Sequence, residues 1–404
     1  MKNNLPLKKK KKKTLSPTKT VGNGESWKIP TLTAGEVSLY FHIPFCEKKC
    51  PYCHFYSQTN IELIPSFTNA LLQEWDLKKN ELSNKKIVSI YFGGGTPALL
   101  GAKNIERILS AIPLDSSTEI TLETNPNIVT LPEMAHYKKI GINRMSLGVQ
   151  SLHKETLQFL QRTHSKEKAL QAIDIIHNFI PNLSIDLMYD IPHQTLTSWQ
   201  ETLSYLPKLP ITHISLYNLT FEPETPFFSQ KKILEDFLPP SKESLSLLTS
   251  ACSFLEKEKF LRYEIASFAK NGLYSHHNIG YWNGRPFLGF GPSAWSYWSK
   301  ERFSNVSSIT TYIQNLSQKK LPVDYVEKLQ APNDVIELFI LHLRLLQGFS
   351  LIDFKKQHGI LPKETLDTLK MLTQEKLLSI TKDWITLTKK GVLFYDHIAV
   401  ELLA

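Results

Sequence analysis

This chain of 404 residues has only four cysteines, and three of them, Cys46, Cys50 and Cys53, fall within eight positions. A secreted scaffold held by disulfides would spread more of them along a shorter chain, so that class is excluded. Clustered thiols in a reducing compartment point to metal instead. Cys252 stands alone and reads as a small core residue. Long apolar runs are missing too: no stretch approaches the ~20 residues that cross a bilayer. No apolar segment follows the first positive charges in the layout of a secretory signal. The expectation is a cytoplasmic protein. An excess of one charge is also lacking once the leader is set aside. Lys8 to Lys13 supply six of the net +9, which leaves +3 for the rest. A run of like charges repels itself, so residues 1–34 read as a solvated, disordered basic leader from which no function is drawn.

What is present is an alternation of short β-branched or aromatic runs with longer helical patterns. Strands are expected at Val37–Ile43, Ile87–Phe92, Glu119–Glu123, Arg144–Val149, Leu183–Tyr189 and His213–Asn218. Helical patterns such as Ile64–Asn80, Ala102–Ala111, Lys154–Leu160 and Lys166–Phe179 separate them. Strands alternating with helices imply βαβ units on a parallel sheet, and six units make a barrel or an incomplete one, with ligand chemistry at the C-terminal strand ends. The fold class is therefore α/β, with this unit over 35–222. The alternation breaks down near Pro223. A helical Ser241–Lys259, a strand-like Tyr263–Phe268 and a Gly-punctuated aromatic segment, Asn271–Trp298, make an α+β extension over 223–330. Residues 331–404 read as helices with a short β segment, a small winged-helix-like module.

The first strand runs into Cys46-Glu47-Lys48-Lys49-Cys50-Pro51-Tyr52-Cys53, a C-x3-C-x2-C spacing. Three thiolates on one tight loop can each take one iron of a cubane [4Fe–4S] cluster, which leaves the fourth iron without a protein ligand. The competing reading is structural zinc. That site wants four ligands and usually two paired motifs. His54 follows Cys53 directly, but there is no second knuckle.

With the lead-in Tyr40-Phe41-His42-Ile43-Pro44-Phe45, this loop resembles the radical S-adenosylmethionine (SAM) superfamily. Within it the chain is most similar to the oxygen-independent coproporphyrinogen III oxidase family, over roughly 37–400. The resemblance implies an incomplete (βα)6 barrel and a SAM molecule chelated to the open iron of the cluster. One electron would then split its C–S bond to a deoxyadenosyl radical. The glycine motif Gly93-Gly94-Gly95-Thr96-Pro97 looks like the cradle for the methionyl group, since glycines let backbone approach a ligand closely. By the same resemblance Glu123, Gln150, Arg162 and Asp186 bind SAM, Arg162 at its carboxylate and Asp186 at the ribose hydroxyls. Tyr40 and Tyr52 also fall where the family touches the ligand.

Two functions compete. One is the oxidase, which decarboxylates propionate side chains by hydrogen abstraction. The other is the heme chaperone (HemW) group, which keeps the cluster and SAM site but carries heme. The oxidases have a further cysteine two residues after the third, where this chain has Phe55, and a longer region ahead of the cluster. His277-Asn278-Ile279-Gly280-Tyr281-Trp282 matches the His-Asn-x-x-Tyr-Trp signature of the HemW group. There a histidine can ligate heme iron while Tyr281 and Trp282 line the porphyrin. The expectation is a heme chaperone and not an active oxidase. It would take electrons from a flavodoxin or ferredoxin and deliver heme to an acceptor protein, plausibly membrane-bound. Basic residues of the C-terminal module alternate with acids, so nucleic acid is not expected, and a lid or docking surface is. Four positions depart from the pattern. Asp190, His193 and Glu224 stand where glycine is common, and Trp295 stands where histidine is common, expected beside the adenosyl pocket.

Overall fold

The computed structural model describes residues 29, 30 and 32–404, so the expected leader, with Lys8–Lys13, lies almost wholly outside the described residues. Six parallel strands form the centre: β1 (Glu36–Ile43), β2 (Lys86–Gly94), β3 (Glu119–Thr124), β4 (Arg144–Gln150), β5 (Leu183–Tyr189) and β6 (His213–Asn218). They pair in chain order and parallel throughout. The sheet does not close. β7 (Leu261–Arg262) and β8 (Ser267–Ala269) extend it antiparallel beyond β6. On the other edge β9 (Phe287–Phe290) pairs parallel with β1, followed by β10 (Trp295–Trp298), β11 (Glu301–Asn305) and β12 (Val323–Lys328). The result is one open twelve-stranded sheet. A separate three-stranded sheet carries β13 (Phe349–Ser350), β14 (Leu378–Thr381) and β15 (Trp384–Leu387) among the last helices.

Side chains alternate across a strand, so each central strand has two characters. Phe41 and Ile43 of β1, Phe92 of β2, Leu122 of β3 and Leu147 of β4 point outward and are fully buried under the helices. Their neighbours, such as Ser89, Thr121, Arg144, Ser184 and His213, are also buried but polar, and they face the concave side. Of the expected strand-like Tyr263–Phe268, only Ser267 and Phe268 are in a strand, β8, while Tyr263–Ala266 turns between β7 and β8. The aromatic segment after Asn271 contains a seven-residue helix, His276–Trp282, before β9.

The β9–β11 wing is fastened by charge. Glu74 and Lys78 sit one turn apart on the helix Ile64–Lys78, both almost fully buried and 2.6 Å apart. Glu74 also accepts from the Gly291 amide at 2.9 Å, Asn305 Nδ2 at 2.8 Å and the Tyr312 hydroxyl at 2.6 Å. Lys78 donates to the Gly289 carbonyl at 3.0 Å. A buried carboxylate is tolerated only with its hydrogen-bond capacity filled, and here four donors fill it. The wing is thereby pressed on β1 so closely that a Cβ on Gly291 would stand 2.3 Å from the His42 carbonyl oxygen.

Three of the departures noted in the sequence have a backbone reason. Asp190, His193 and Glu224 have φ of +57°, +65° and +63°, the left-handed region that glycine enters without a Cβ penalty. Asp190 gains a partner in return, accepting from the Ser244 hydroxyl at 2.6 Å.

Replacing Glu74 by Ala leaves Lys78 buried and unpaired, and is expected to cost about 3–5 kcal/mol of stability in chemical denaturation. A loss below about 1 kcal/mol would show that the wing does not depend on this pair.

Candidate cofactor site

β1 delivers the chain into the cysteine loop, which is closed by backbone bonds. Cys46 N–H donates to the Gln58 carbonyl at 3.0 Å, Gln58 N–H to Pro44 at 2.7 Å, and Cys53 N–H to Cys50 at 3.2 Å. The end of β2 lies against this loop, with Gly95 N–H donating to Ile43 and Thr96 N–H to Phe45. A Cβ on Gly95 would sit 2.6 Å from the Phe45 carbonyl oxygen and 3.0 Å from Cys46 Sγ. One on Gly94 would meet the His42 ring at 2.7 Å. These glycines therefore let two strand ends touch, and the Thr96 hydroxyl comes within 3.8 Å of Cys46 Sγ.

The three thiols are unbridged and partly exposed. Burial pushes the Cys46 and Cys53 thiols up. Arg162 bridges the loop to β4: Nη1 lies 3.4 Å from Cys50 Sγ and Nη2 donates to the Gly148 carbonyl at 2.8 Å. Tyr52 packs at a tilt 6.3 Å from Phe227. Among the described residues, no three His, Cys, Asp or Glu side chains close on a single-ion position. A cubane places its thiolates on different irons, so it asks for no such convergence.

The acids lie on the concave face. Glu123 accepts from the Tyr91 hydroxyl at 2.7 Å, and burial, with the charge of Asp186 nearby, pushes its carboxyl up to about 7. Asp186 accepts from Ser146 at 3.3 Å and is pushed by burial to about 6. The Tyr40 hydroxyl meets His42 Nδ1 at 3.1 Å, and His42 Nε2 meets the Tyr56 carbonyl at 2.9 Å. Burial lowers the His42 pKa, so the ring is neutral, and its Nε2–H donates. Several buried polar atoms here have no partner in the chain: Thr121 Oγ1, Thr124 Oγ1, Gln150 Oε1, and Nε of Arg144 and Arg162. Gln150 also has φ +65°. Unpaired polar groups and a left-handed backbone at strand ends mark a place prepared for a ligand.

His42, Tyr91 and Arg144 escape a sequence reading that seeks motifs. Their signal is the alternation itself, since each occupies an inward-facing position of its strand.

The helix His276–Trp282 seals the floor of this concavity. Glu119 of β3 accepts the His276 and His277 amides at 3.0 Å each, placing a carboxylate on the positive helix end. His277 is 1% exposed and its ring centre lies 4.9 Å from that of Tyr91. Ser89 donates to Ser38 at 2.8 Å, so it accepts from His277 Nδ1 at 3.0 Å. His277 Nε2 accepts in turn from the Tyr281 hydroxyl at 2.8 Å. Both ring nitrogens are therefore engaged. Burial first, then the charges of Arg285 and Arg144, lower its pKa to about 3, and the ring is neutral. The signature does not form a single face. His277 and Tyr281, four residues apart, share one side of the helix, whereas Trp282 points to the C-terminal module with the Arg344 guanidinium 4.1 Å over its ring. Trp295 lies on β10, beyond β9 from the six central strands, and its ring meets Tyr325 edge-on at 5.5 Å. β9 therefore stands between Trp295 and β1, the strand that carries Tyr40.

The architecture is that of a coproporphyrinogen III oxidase (HemN) from Escherichia coli, at TM-score 0.80 and 24% identity over 91% of this chain and 89% of that one. Residues 40–206 match the radical SAM superfamily, and 329–394 match the HemN C-terminal domain. A heme chaperone HemW of Buchnera aphidicola is 32% identical over 376 residues, 90% of this chain and 97% of that protein. The chain belongs to the HemW family of radical SAM proteins. A mitochondrial radical SAM domain-containing protein 1 of Danio rerio is 37% identical over 66% of this chain and 61% of its own length. HemW-family membership implies SAM and a [4Fe–4S] cluster, and the residues fit both. Three unbridged thiols share one loop, and the unpartnered atoms of Thr124, Gln150 and Arg162 line the strand ends beside it.

Glu123 gives a pH test in the ligand-free protein. Its folded pKa of about 7 exceeds the ordinary 4.5, so the stability tied to its proton is present below pH 4.5 and lost as pH rises to 7. Glu123→Gln has no such proton. The stability of the variant relative to wild type should therefore rise across that window, measured by denaturation at each pH. A constant difference would show that Glu123 is already ionised there.

Proposed function

We propose that this chain binds heme alongside a SAM-ligated [4Fe–4S] cluster and passes the heme to an acceptor protein. The observation that carries the reading is the likeness, over nearly the whole chain, to proteins named heme chaperone HemW. It is supported by Phe55, which puts an exposed ring two residues after Cys53, where the oxidases resemble each other in having a thiol. Likeness to the oxidase structure rests on fold and carries no activity with it.

When bound, the cluster and SAM supply one-electron chemistry; the chain supplies the holding groups. Cys46, Cys50 and Cys53 are the cluster ligands. The Arg162 guanidinium offsets negative charge at Cys50. Gly94, Gly95 and Thr96 bring backbone against the loop, while Tyr40, Tyr52, Glu123, Gln150 and Asp186 surround SAM. Glu123, poised near neutrality and bonded to Tyr91, holds or releases a proton on that wall. Lys48 and Lys49 are exposed on the cysteine loop, which suits an acidic electron carrier such as a flavodoxin or ferredoxin. His277 acts by fixing the Tyr281 hydroxyl, and so the ring, rather than by ligating iron.

Anaerobically reconstituted protein should hold about four irons per chain, and Cys50→Ala should remove them. Zinc binding without iron–sulfur absorbance would overturn the cluster. Adding hemin should give a Soret band at one heme per chain, with the same maximum in His277→Gln. Absence of a band would reject the chaperone. Turnover of coproporphyrinogen III to protoporphyrinogen IX with SAM and a reductant would restore the oxidase.

A further inference from the structure

The concave face of the sheet does not stop at the six central strands. It continues past the helix His276–Trp282 onto β9, β10 and β11, where the helix Asn333–Leu343 covers it. Between them lies a partly open cavity of about 310 Å³, within the size range of ligand pockets. Its walls are largely aromatic and aliphatic: Tyr281, Phe287, Trp295 and Tyr297 on one side, Leu338 and Leu341 on the other. Trp295 is 46% exposed, so its ring is available at the mouth of the cavity.

The charges are unevenly compensated. Arg302 is neutralised by Glu337 at 2.7 Å and Glu327 at 3.2 Å. Arg285 also lines the cavity and is 5% exposed, yet its Nε has no partner in the chain. Its Nη1 is spent on the Ser38 hydroxyl and the His276 carbonyl. Nε is sealed from the cavity, but Nη2 neither makes a hydrogen bond nor is sealed among the described residues, so a ligand that is flat and anionic along one edge would find a donor there. Asp334, which begins the covering helix, would repel that edge. The cavity therefore distinguishes the two ends of such a ligand.

We infer that this cleft, and not the barrel floor around His277, receives the heme, stacked on Trp295 and Tyr297 with a propionate at Arg285. The inference rests on the heme-binding reading above and adds its place. Only Tyr281 of the His277–Trp282 signature touches the cleft, and its hydroxyl points back to His277. The signature thus builds the partition between the cofactor chamber and the heme cleft. Because the cavity is smaller than many ligand pockets and partly open, the ring enters part-way and its outer edge stays accessible.

The test uses the full chain and hemin as probe. Trp295→Ala removes a half-exposed ring and should weaken hemin binding about tenfold in a Soret titration. In the unsubstituted protein hemin should slow amide exchange over 295–305 and 333–343 and leave the cysteine loop unchanged. Wild-type affinity in Trp295→Ala, with no protection of those two segments, would overturn the cleft while heme binding stands. No Soret band in the wild type at stoichiometric hemin would instead overturn the heme reading itself, and the cleft with it.

Discussion

Many inward-facing side chains of the central strands, from Ser38 and His42 to Ser184 and His213, are polar and buried, and the rest of the molecule follows from satisfying that face. An apolar-out, polar-in sheet cannot close on itself around a dry core, because each unpaired group inside costs on the order of 1–3 kcal/mol. Part of the debt is settled within the protein. Ser184 and Tyr263 bond the two nitrogens of His213, Tyr91 bonds Glu123, and Glu119 takes the amides of the helix His276–Trp282. Some groups are left over on this face. Thr121, Thr124, Arg144, Gln150 and Arg162 lie on or just beyond β3 and β4, and Arg162 reaches Cys50 of the cysteine loop. The same face thus decides both how the chain packs and where a polar ligand is needed.

The helix His276–Trp282 is the hinge of this arrangement. Its N-terminus is held by Glu119, its inner side by Ser89 and its outer side by the C-terminal module through Trp282 and Arg344. One short element therefore touches the cofactor wall, the wing and the module at once. Glu74 performs the matching task on the other side, gathering Lys78, Gly291, Asn305 and Tyr312 so that the wing cannot drift from β1. Both anchors are single carboxylates with several backbone or side-chain donors, which gives direction where apolar packing gives only area.

The six strands, the first helices and the cysteine loop were legible because they are local: periodicity and spacing specify them within a few residues. The strand expectations differ from the structure by at most two residues at any end, as at β2, which runs to Gly94. What was not legible is long-range. Nothing in the i,i+4 spacing of Glu74 and Lys78 foretells their burial, which comes from contacts more than two hundred residues away. The helix His276–Trp282 contains Gly280 and three aromatic or β-branched residues, which favour no helix in isolation. Glu119 and the close approach of Arg285 to Gly280 make it one. Trp295 was expected near SAM because it stands where the family commonly has histidine. The wing carries it two strands past β1, onto β10, where it lines the cavity under the helix Asn333–Leu343.

A protein that delivers heme faces a requirement opposite to that of one that stores it. Binding must capture the ligand, yet the free energy gained must be small enough for an acceptor to take it away. A buried site with a strong axial ligand would fail the second condition. The geometry here separates the two demands. Both nitrogens of His277 are engaged, by Ser89 and Tyr281, so this ring does not compete for iron. The cleft offers aromatic faces and one guanidinium, which favour the porphyrin plate over water without enclosing its iron. On the proposed reading, the cleft would hold the porphyrin by its faces and leave ligation of the iron to an acceptor. The partition helix has a further consequence. Since Tyr281 touches the cleft and His277 touches Tyr91, any shift of the cofactor wall reaches the heme through two hydrogen-bonded rings. That is the shortest physical route by which the SAM site could bias loading or release.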